Sequence, residues 1–166
     1  MQRPLTSHDI HGLFPGAKII PYSTLSTVRH INQLFRNTNV IFLLFETEQN
    51  FGHWTVIKKY GPRIFFFDPY GFAPDQQLKF TDPDFRVRNG MNHRHLTRLL
   101  EDSGYQIRYN PYAFQNIKDD NAETCGRWAS LFARLWPTVS IEGFRDIFEE
   151  WPGNLDDAIT TVTHFM

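Results

Sequence analysis

The sequence predicts a single α+β domain in which a small mixed central sheet is flanked by helices. The chain has 166 residues, a length that suits one domain (residues 1–166) with a core of its own. Short apolar runs rich in phenylalanine and β-branched residues alternate with stretches whose apolar residues recur at helical spacing. Sixteen phenylalanines and four tryptophans indicate a core built largely on aromatic packing.

The first part of the chain is predicted to form an irregular arm, a helix and a buried strand. Residues 1–22 mix proline, glycine, serine and histidine, so we expect an irregular arm laid over the core. Ser23 is a good helix N-cap, and apolar residues recur at helical spacing up to Asn37. Those residues are Leu25, Val28, Ile31, Leu34 and Phe35. The run Val40–Phe45 is apolar on both faces and partly β-branched, which predicts a buried central strand.

A β-hairpin is predicted to follow a polar loop at residues 46–52. Its two strands occupy residues 53–60 and 63–68. Gly61-Pro62 separates the strands, and this pair is compatible with a type II′ turn.

The register of the hairpin decides which polar side chains share a face. If Tyr60 pairs with Arg63, Thr55 faces Asp68, and His53 lies on the same side of the sheet. Asp68 is then a diagonal neighbour of His53, about 7–8 Å away between backbones and within side-chain reach. A slip of one residue would turn Asp68 to the opposite face.

Beyond the hairpin, helices predominate. Residues 75–92 are predicted to be a long loop with at most a short edge strand, and residues 105–109 alternate as a strand. Asn92 can cap a helix that carries Leu96, Leu99 and Leu100 and ends at Gly104. Thr124 can cap a helix that begins at Cys125 and stops at Trp136-Pro137. Two more helices start at Ser140 and Asn154 and turn apolar residues inward: Ile141, Phe144, Ile147 and Phe148 in one, Leu155, Ala158, Ile159, Val162 and Phe165 in the other.

Composition limits the function classes. The single cysteine rules out an internal disulfide and a multi-thiolate zinc site, and it suits a reducing compartment. The formal charge of -1 gives no global attraction to nucleic acid or to an anionic membrane. The cluster Arg86, Arg88, Arg94 and Arg98 fits a solvated face better than a binding patch. The chain opens without a signal-peptide pattern, and its longest apolar run is far shorter than the roughly 20 residues that span a bilayer.

Four residues suggest nucleophilic chemistry when they are taken together. Cys125 lies in a first helical turn, where free N–H groups favour a thiolate, although a lone cysteine is more often a small buried hydrophobe. His53 stands where a loop meets a strand and suits a general base, and Asp68 ends the neighbouring strand and suits its orienting acid. Gln115 precedes the Cys125 helix and suits an oxyanion donor. Each of these residues has an ordinary structural explanation when it is considered alone. Their occurrence together, in the order His, Asp, Gln and Cys, is a much stronger indication of catalysis.

The motifs around these residues resemble those of clan CE cysteine proteases. The matching segments are Gly52-His53-Trp54, Phe67–Phe72, Gln115 and Thr124–Trp128. The clan includes the adenovirus maturation protease, adenain, and the ubiquitin-like-protein-specific proteases. The motif variants here are most similar to those of maturation proteases of virophages, polinton-like elements and large DNA viruses. The resemblance covers residues 51–135 and implies the adenain-like, circularly permuted papain-like fold.

The resemblance also implies roles for individual residues. It implies a thiol endopeptidase with His53 as general base, Asp68 as orienting acid, Cys125 as nucleophile and Gln115 as oxyanion donor. It places Trp54 beside the histidine and implies protein substrates with small residues, often glycine, near the cleaved bond. We also expect Gly52 and Gly126 to contribute to substrate binding, since a glycine after the nucleophile leaves room for a substrate backbone. No cofactor and no metal site are expected.

Departures from the family pattern restrict the expected partners. Adenain is activated by a peptide that is disulfide-linked to a second cysteine and by DNA, and this chain has no second cysteine. A peptide or DNA activator stays open, but a disulfide-linked one is excluded. We expect a monomer with a virion precursor protein as substrate, no membrane partner, and a location in the infected cell's cytoplasm or nucleus and in the virion.

Other functions fit part of the pattern. A deubiquitinase or SUMO-like deconjugase uses the same catalytic groups. The compact chain has less surface for a ubiquitin-like partner than those enzymes have, but residues 75–92 could serve as an exosite. Acetyl transfer by the same catalytic groups is a third enzymatic hypothesis. The non-enzymatic alternative is an inactive adaptor that binds proteins. A metal site at His93 and His95 is disfavoured, because histidines two residues apart on a helix point away from each other.

Overall fold

The computed structural model describes residues 3–48, 51–115 and 124–164, and it confirms the α+β class. A five-stranded mixed sheet lies between helices, with its strands side by side in chain order. The strands are β1 (Lys18–Pro21), β2 (Val40–Glu48), β3 (Phe51–Tyr60), β4 (Arg63–Phe67) and β5 (Gln106–Tyr109). β3 is antiparallel to both of its neighbours, β2 and β4, whereas the edge strands β1 and β5 run parallel to theirs.

The helices cover both faces of the sheet. They are α1 (Ser7–Leu13), α2 (Pro83–Arg88), α3 (His95–Glu101), α4 (Cys125–Leu135), α5 (Ile141–Glu149) and α6 (Leu155–Val162). Short 3₁₀ helices occupy Tyr22–Thr27, Ile31–Gln33 and Gln76–Phe80. Within the described ranges, no helix is both long and apolar enough to cross a bilayer.

Each face of the sheet has its own apolar cluster, as the apolar run Val40–Phe45 of β2 predicted. One face packs on α1 and on α4 to α6, and its centre is aromatic: Phe65, Phe67, Phe114, Trp128, Phe132, Trp136, Phe144 and Phe148. The opposite face packs on α3 and on the first two 3₁₀ helices, with Tyr22, Leu25 and Ile31 fully buried. Sheet strands buried on both faces lose the polar alternation of a half-exposed sheet.

Helix α4 lies along β3 and is attached to it near both ends. At the start of the helix, the Trp54 backbone N–H donates to Sγ of Cys125 at 3.4 Å. Near its end, Nζ of Lys58 donates to the carbonyl oxygens of Ala133 (2.7 Å) and Trp136. A lysine there satisfies carbonyl groups that the helix itself leaves free, and its charge suits the negative end of the helix dipole. Residues 125–133 are all buried.

The hairpin between β3 and β4 has the predicted register. Tyr60 pairs with Arg63, and Val56 pairs with Phe67. Gly61 has φ 56°, the sign that the first central position of a type II′ turn requires. The predicted loop at residues 46–52 is shorter than expected, because β2 continues to Glu48 and β3 begins at Phe51, with an irregular register between them.

The predictions for the first 37 residues were wrong in secondary structure. The arm is not irregular: α1 is held by a capping box between Thr6 and Asp9, and β1 forms four residue pairs with β2. The helix predicted for residues 23–37 is absent, and two 3₁₀ helices stand in its place. Its apolar residues were correctly assigned to the core except Phe35, which is half-buried. A spacing of three residues serves 3₁₀ turns as well as an α-helix, so periodicity did not separate them.

Later elements needed smaller corrections. Residues 75–92 hold the third 3₁₀ helix and α2, with no edge strand. The cap of α3 is Arg94, two residues after the predicted Asn92. Ser140 and Asn154 cap α5 and α6 as predicted. Ile147 and Val162, expected inward, are 50% and 44% exposed, and Phe165 lies outside the described residues.

Gly52 provides a test of the close β2–β3 approach. A Cβ atom on this glycine would lie 2.1 Å from the Phe45 carbonyl oxygen, so Gly52→Ala requires the strands to move apart. We expect a loss of about 2 kcal/mol or more in the free energy of unfolding, measured by urea titration. Gly12→Ala is the control, because a Cβ there meets nothing within 4 Å, and helix propensity predicts a neutral to stabilising effect. Equal stability of the two variants would contradict the described approach.

Candidate active site

Cys125 is the first residue of α4, as predicted. Thr124 occupies the N-cap position, but its hydroxyl donates to Oδ1 of Asp156 at 2.5 Å and caps no N–H of α4. The N–H groups of the first turn therefore remain at the positive end of the helix dipole, close to the sulfur. Sγ also accepts the Trp54 backbone N–H, a contact that favours negative charge on sulfur.

His53 and Asp68 form a buried pair at the ends of β3 and β4. Nε2 of His53 lies 2.7 Å from Oδ1 of Asp68. The same carboxylate oxygen accepts the Tyr70 backbone N–H at 2.8 Å, so the turn after β4 holds the acid in place. The two side chains are 5% and 1% exposed. In this low-exposure setting, the carboxylate orients the imidazole and leaves Nδ1 as the nitrogen for proton exchange.

The environment of His53 favours its charged form. Burial lowers the pKa of the imidazole, but the charge and hydrogen bond of Asp68 act in the opposite direction. The Cys125 side chain lies close enough to raise the pKa further by hydrogen bonding and charge, and the net pKa is raised to about 10. Within the described residues, Nδ1 has no nitrogen or oxygen partner. The geometry suits an imidazolium that exchanges its Nδ1 proton with the sulfur or with a group bound beside it.

Tyr70 covers one face of the imidazole. The two ring centroids are 4.1 Å apart, and the planes differ by 10°. A stacked aromatic ring stabilises a cation through its quadrupole and prevents rotation of the imidazole away from Asp68. The sequence motif Asp68-Pro69-Tyr70 thus supplies both the acid and the ring that confines the base.

Asn110 is a residue of the site that the sequence reasoning missed. It is fully buried; its Oδ1 accepts the Asp68 N–H at 3.0 Å, and its Nδ2 donates to the Asp68 carbonyl at 2.7 Å. A third bond joins Nδ2 to the Tyr112 carbonyl at 3.1 Å. The side chain therefore clamps the backbone of the acid to the loop that follows β5. The available signal was its place directly after a strand, but the pairing of β5 with β4 was needed to interpret it.

Gln115 is held against the segment that carries the acid. The backbone N–H groups of Phe114 and Gln115 both donate to the Pro69 carbonyl, at 2.8 and 2.9 Å. The Gln115 side chain is 4% exposed. The connection from residue 116 to residue 123 lies outside the described part of the chain, so the role of Gln115 as an oxyanion donor stays a prediction.

Gly126 and Trp54 pack against the N-terminal segment. The Trp54 indole N–H donates to the Leu5 carbonyl at 3.1 Å. A Cβ on Gly126 would lie 3.0 Å from Cβ of Leu5 and 3.3 Å from Cδ1 of Trp54. The close approach of Leu5 and Trp54 is thus a structural reason for glycine at this position. Roles of Gly126, Trp54 and Gly52 in substrate binding stay predictions.

Arg127 and Trp128, the next residues of the motif, fasten α4 to the C-terminal helices. The buried Arg127 guanidinium donates to the Thr163 carbonyl (3.1 Å) and hydroxyl (3.2 Å) at the end of α6. The Trp128 ring meets Phe148 edge to face, with centroids 4.7 Å apart. The motif around the cysteine therefore combines the reactive group with the contacts that position its helix.

Together these features define an α+β protein with a buried cysteine–histidine–aspartate site. The sequence matches no protein-family model. It is 33% identical over 129 residues to the uncharacterized protein V9 of Sputnik virophage. The matched region covers 76% of this chain and 73% of V9. The chain therefore belongs to the same family as this virophage protein.

The pair of His53 and Asp68 predicts a measurable change in pKa. Asp68→Asn removes the carboxylate that raises the pKa of His53, so this pKa should fall, as read from the imidazole signals of ¹⁵N-histidine-labelled protein in an NMR titration. The stabilisation due to the imidazolium should be fully present below about pH 6.5, the usual pKa of an unfolded histidine, and lost as pH rises through about 10. The stability advantage of the wild type over Asp68→Asn should shrink across that interval.

The control for this titration is Asp82→Asn, which removes an exposed carboxylate at the start of α2. It should leave the pKa of His53 unchanged. An unaltered His53 titration in Asp68→Asn would show that the carboxylate does not govern the protonation of the base.

Proposed function

We propose that the protein is a cysteine endopeptidase in which Cys125 is the nucleophile, His53 the general base and acid, and Asp68 the residue that orients His53. The observation that carries the proposal is the convergence of these three side chains in one buried site, although 15 residues separate His53 from Asp68 and 71 separate Trp54 from Cys125. The raised pKa of His53 supports an imidazolium–thiolate pair at neutral pH.

The reaction follows from this arrangement. The Cys125 thiolate attacks the scissile carbonyl carbon, a C–S bond forms, and negative charge moves to the carbonyl oxygen. The His53 imidazolium then protonates the leaving amine as the C–N bond breaks, which leaves a thioester on Cys125. His53, now neutral, takes a proton from water; the hydroxide adds to the thioester, and the C–S bond breaks to release the acid and the thiolate.

The start of α4 and Gln115 are the proposed oxyanion site. The Cys125 backbone N–H is one of the helix N–H groups without an intrahelical acceptor, so it is available to a bound oxygen. The Gln115 side-chain amide is the proposed second donor. Support comes from its burial and from the two backbone hydrogen bonds that hold its segment to Pro69, next to the acid.

The proposed substrate is a virion precursor protein, cleaved during maturation. Support comes from two sides: the motif resemblance to viral maturation proteases of clan CE, and a relative in a virophage. Deconjugation of a ubiquitin-like protein and acetyl transfer require the same nucleophile, so the substrate assay must distinguish them.

Replacement of the nucleophile tests the proposal directly. Cys125→Ala should abolish cleavage when the chain is co-expressed with the virion proteins encoded beside it, with new protein termini identified by mass spectrometry. The small side chain should leave the fold intact, which thermal unfolding checks. Identical new termini with wild type and Cys125→Ala would refute the proposal. Turnover of a fluorogenic ubiquitin or SUMO C-terminal substrate, with no precursor cleaved, would favour the deconjugase instead.

Gln115→Ala tests the oxyanion role. Loss of one oxyanion donor raises the barrier by about 2.7–4 kcal/mol, so kcat should fall by about 10²–10³ while cleavage remains measurable. Gln106→Ala, the same substitution at an exposed position of β5, is the control and should retain full activity. Iodoacetamide alkylation of Cys125 should stay rapid in both variants. A Gln115→Ala enzyme with wild-type kcat would remove this residue from the mechanism.

A further inference from the structure

Aromatic rings lead from the candidate base to the protein surface. Tyr70 stacks on His53 at 4.1 Å, Tyr70 and Phe72 are 5.5 Å apart, and Phe72 stacks on Phe80 at 5.3 Å between centroids. Exposure rises along this ring ladder: His53 is buried, Tyr70 and Phe72 are half-buried, and Phe80 is 53% exposed. The three centroid-to-centroid distances limit the length of the ladder to about 15 Å, which four or five residues of extended chain can span.

An open hollow of about 360 Å³ adjoins the outer end of the ladder. Its lining is formed by Ala73, Pro74, Asp75, Gln76, Lys79 and Arg94. Phe72 directly precedes this lining in the chain, and Phe80 directly follows Lys79. Nζ of Lys79 lies 5.3 Å from the centroid of the Phe80 ring.

The exposed charge of the hollow is positive. Lys79 and Arg94 are exposed, and within the described ranges neither forms an ion pair. Asp75, the one acidic residue of the lining, is 6% exposed, and its carboxylate is directed inward. Its Oδ1 accepts the Tyr22 hydroxyl, and its Oδ2 accepts the Thr97 backbone N–H at 2.6 Å. Its charge is therefore committed to the fold, and the two cations face solvent.

We propose that the ring ladder and the hollow bind an extended segment of the protein substrate that carries apolar or aromatic side chains and, at its outer end, acidic ones. This inference rests on the proposed endopeptidase function, because the ladder ends at the candidate base. Exposed rings remove apolar side chains from water, and the two cations attract carboxylates that reach the hollow. The two cations form one small positively charged patch beside the rings. Such a patch suits a peptide with a few carboxylates better than a nucleic acid strand, whose phosphates are evenly spaced along its length.

Peptide binding to a catalytically silent protein tests the surface. The probes are three fluorescein-labelled peptides of equal length, and each contains two phenylalanines at the same positions. The other variable positions hold glutamate in the first peptide, glutamine in the second and lysine in the third. Fluorescence anisotropy on Cys125→Ala protein should give the glutamate peptide the lowest Kd, about fivefold to tenfold below that of the glutamine peptide at low salt. The difference should shrink as salt rises.

Charge-reversal variants locate the effect. Lys79→Glu and Arg94→Glu should each abolish the preference for the glutamate peptide and shift it toward the lysine peptide. Arg36→Glu makes the same charge change at an exposed position before β2, at the end of that strand remote from the site, and should leave the preference unchanged. Phe80→Ser should weaken all three peptides about equally. A loss of stability alone would not exchange one charge preference for the other.

Several outcomes would overturn the inference. Equal Kd values for the three peptides would do so, as would the same loss in Arg36→Glu. Tight binding of a single-stranded oligonucleotide that needs Lys79 and Arg94, without a peptide preference, would assign the surface to nucleic acid. If the wild type cleaves a precursor but shows no preference among the three peptides, the peptide-binding surface is refuted and the proposed endopeptidase activity stands. The glutamate peptide could also bind as expected while the wild type cleaves neither this peptide nor any precursor. That result would refute the endopeptidase function and support a surface that binds acidic peptides.

Discussion

The docking of α4 along β3 is the constraint on which the candidate site depends. The Trp54 N–H holds the cysteine at one end, and Lys58 holds the carbonyl groups at the other. Four residues of strand advance about 13 Å, and the eight residues of helix from Cys125 to Ala133 advance about 12 Å. Both sets of hydrogen bonds therefore require the same alignment of α4 along β3, and a shift of the helix by one turn would break both. Because residues 125–133 are buried, such a shift would also disrupt the core.

A second constraint is the cost of charge in a nearly closed site. Burial opposes an imidazolium at His53, and three neighbours offset that cost: the Asp68 carboxylate, the Cys125 sulfur and the stacked Tyr70 ring. Asn110 acts one step further away, since it holds the backbone from which the carboxylate projects. The base is thus positioned by the segment of Asp68 and Tyr70 and by the Cys125 side chain, and Asn110 supports the first of these.

Sequence patterns predicted the β3–β4 hairpin and the start of α4 better than they predicted the first 37 residues. The Gly61-Pro62 turn sets the pairing of Tyr60 with Arg63, and simple counting along the two strands then brings Asp68 to the side of His53. Helix caps at Ser140 and Asn154 are equally local signals. For residues 23–37, apolar spacing reported which side chains are buried but did not report the hydrogen-bonding pattern that buries them. β1 escaped notice because a short edge strand is defined by its neighbour more than by its own residues.

By itself the sequence determined the α+β class and the start of α4, because turns, caps and side-chain periods act over a few residues. It also indicated the hairpin register and named four candidate residues, whose catalytic roles stay predictions. The tertiary structure alone decided how distant segments meet. It placed Asn110 against Asp68, Leu5 against Gly126, and the rings that follow Tyr70 beside a basic hollow. Such contacts depend on which strands pair in parallel and on how helices pack on the two faces of the sheet. No local pattern encodes that choice, since it is made by the burial of the whole core.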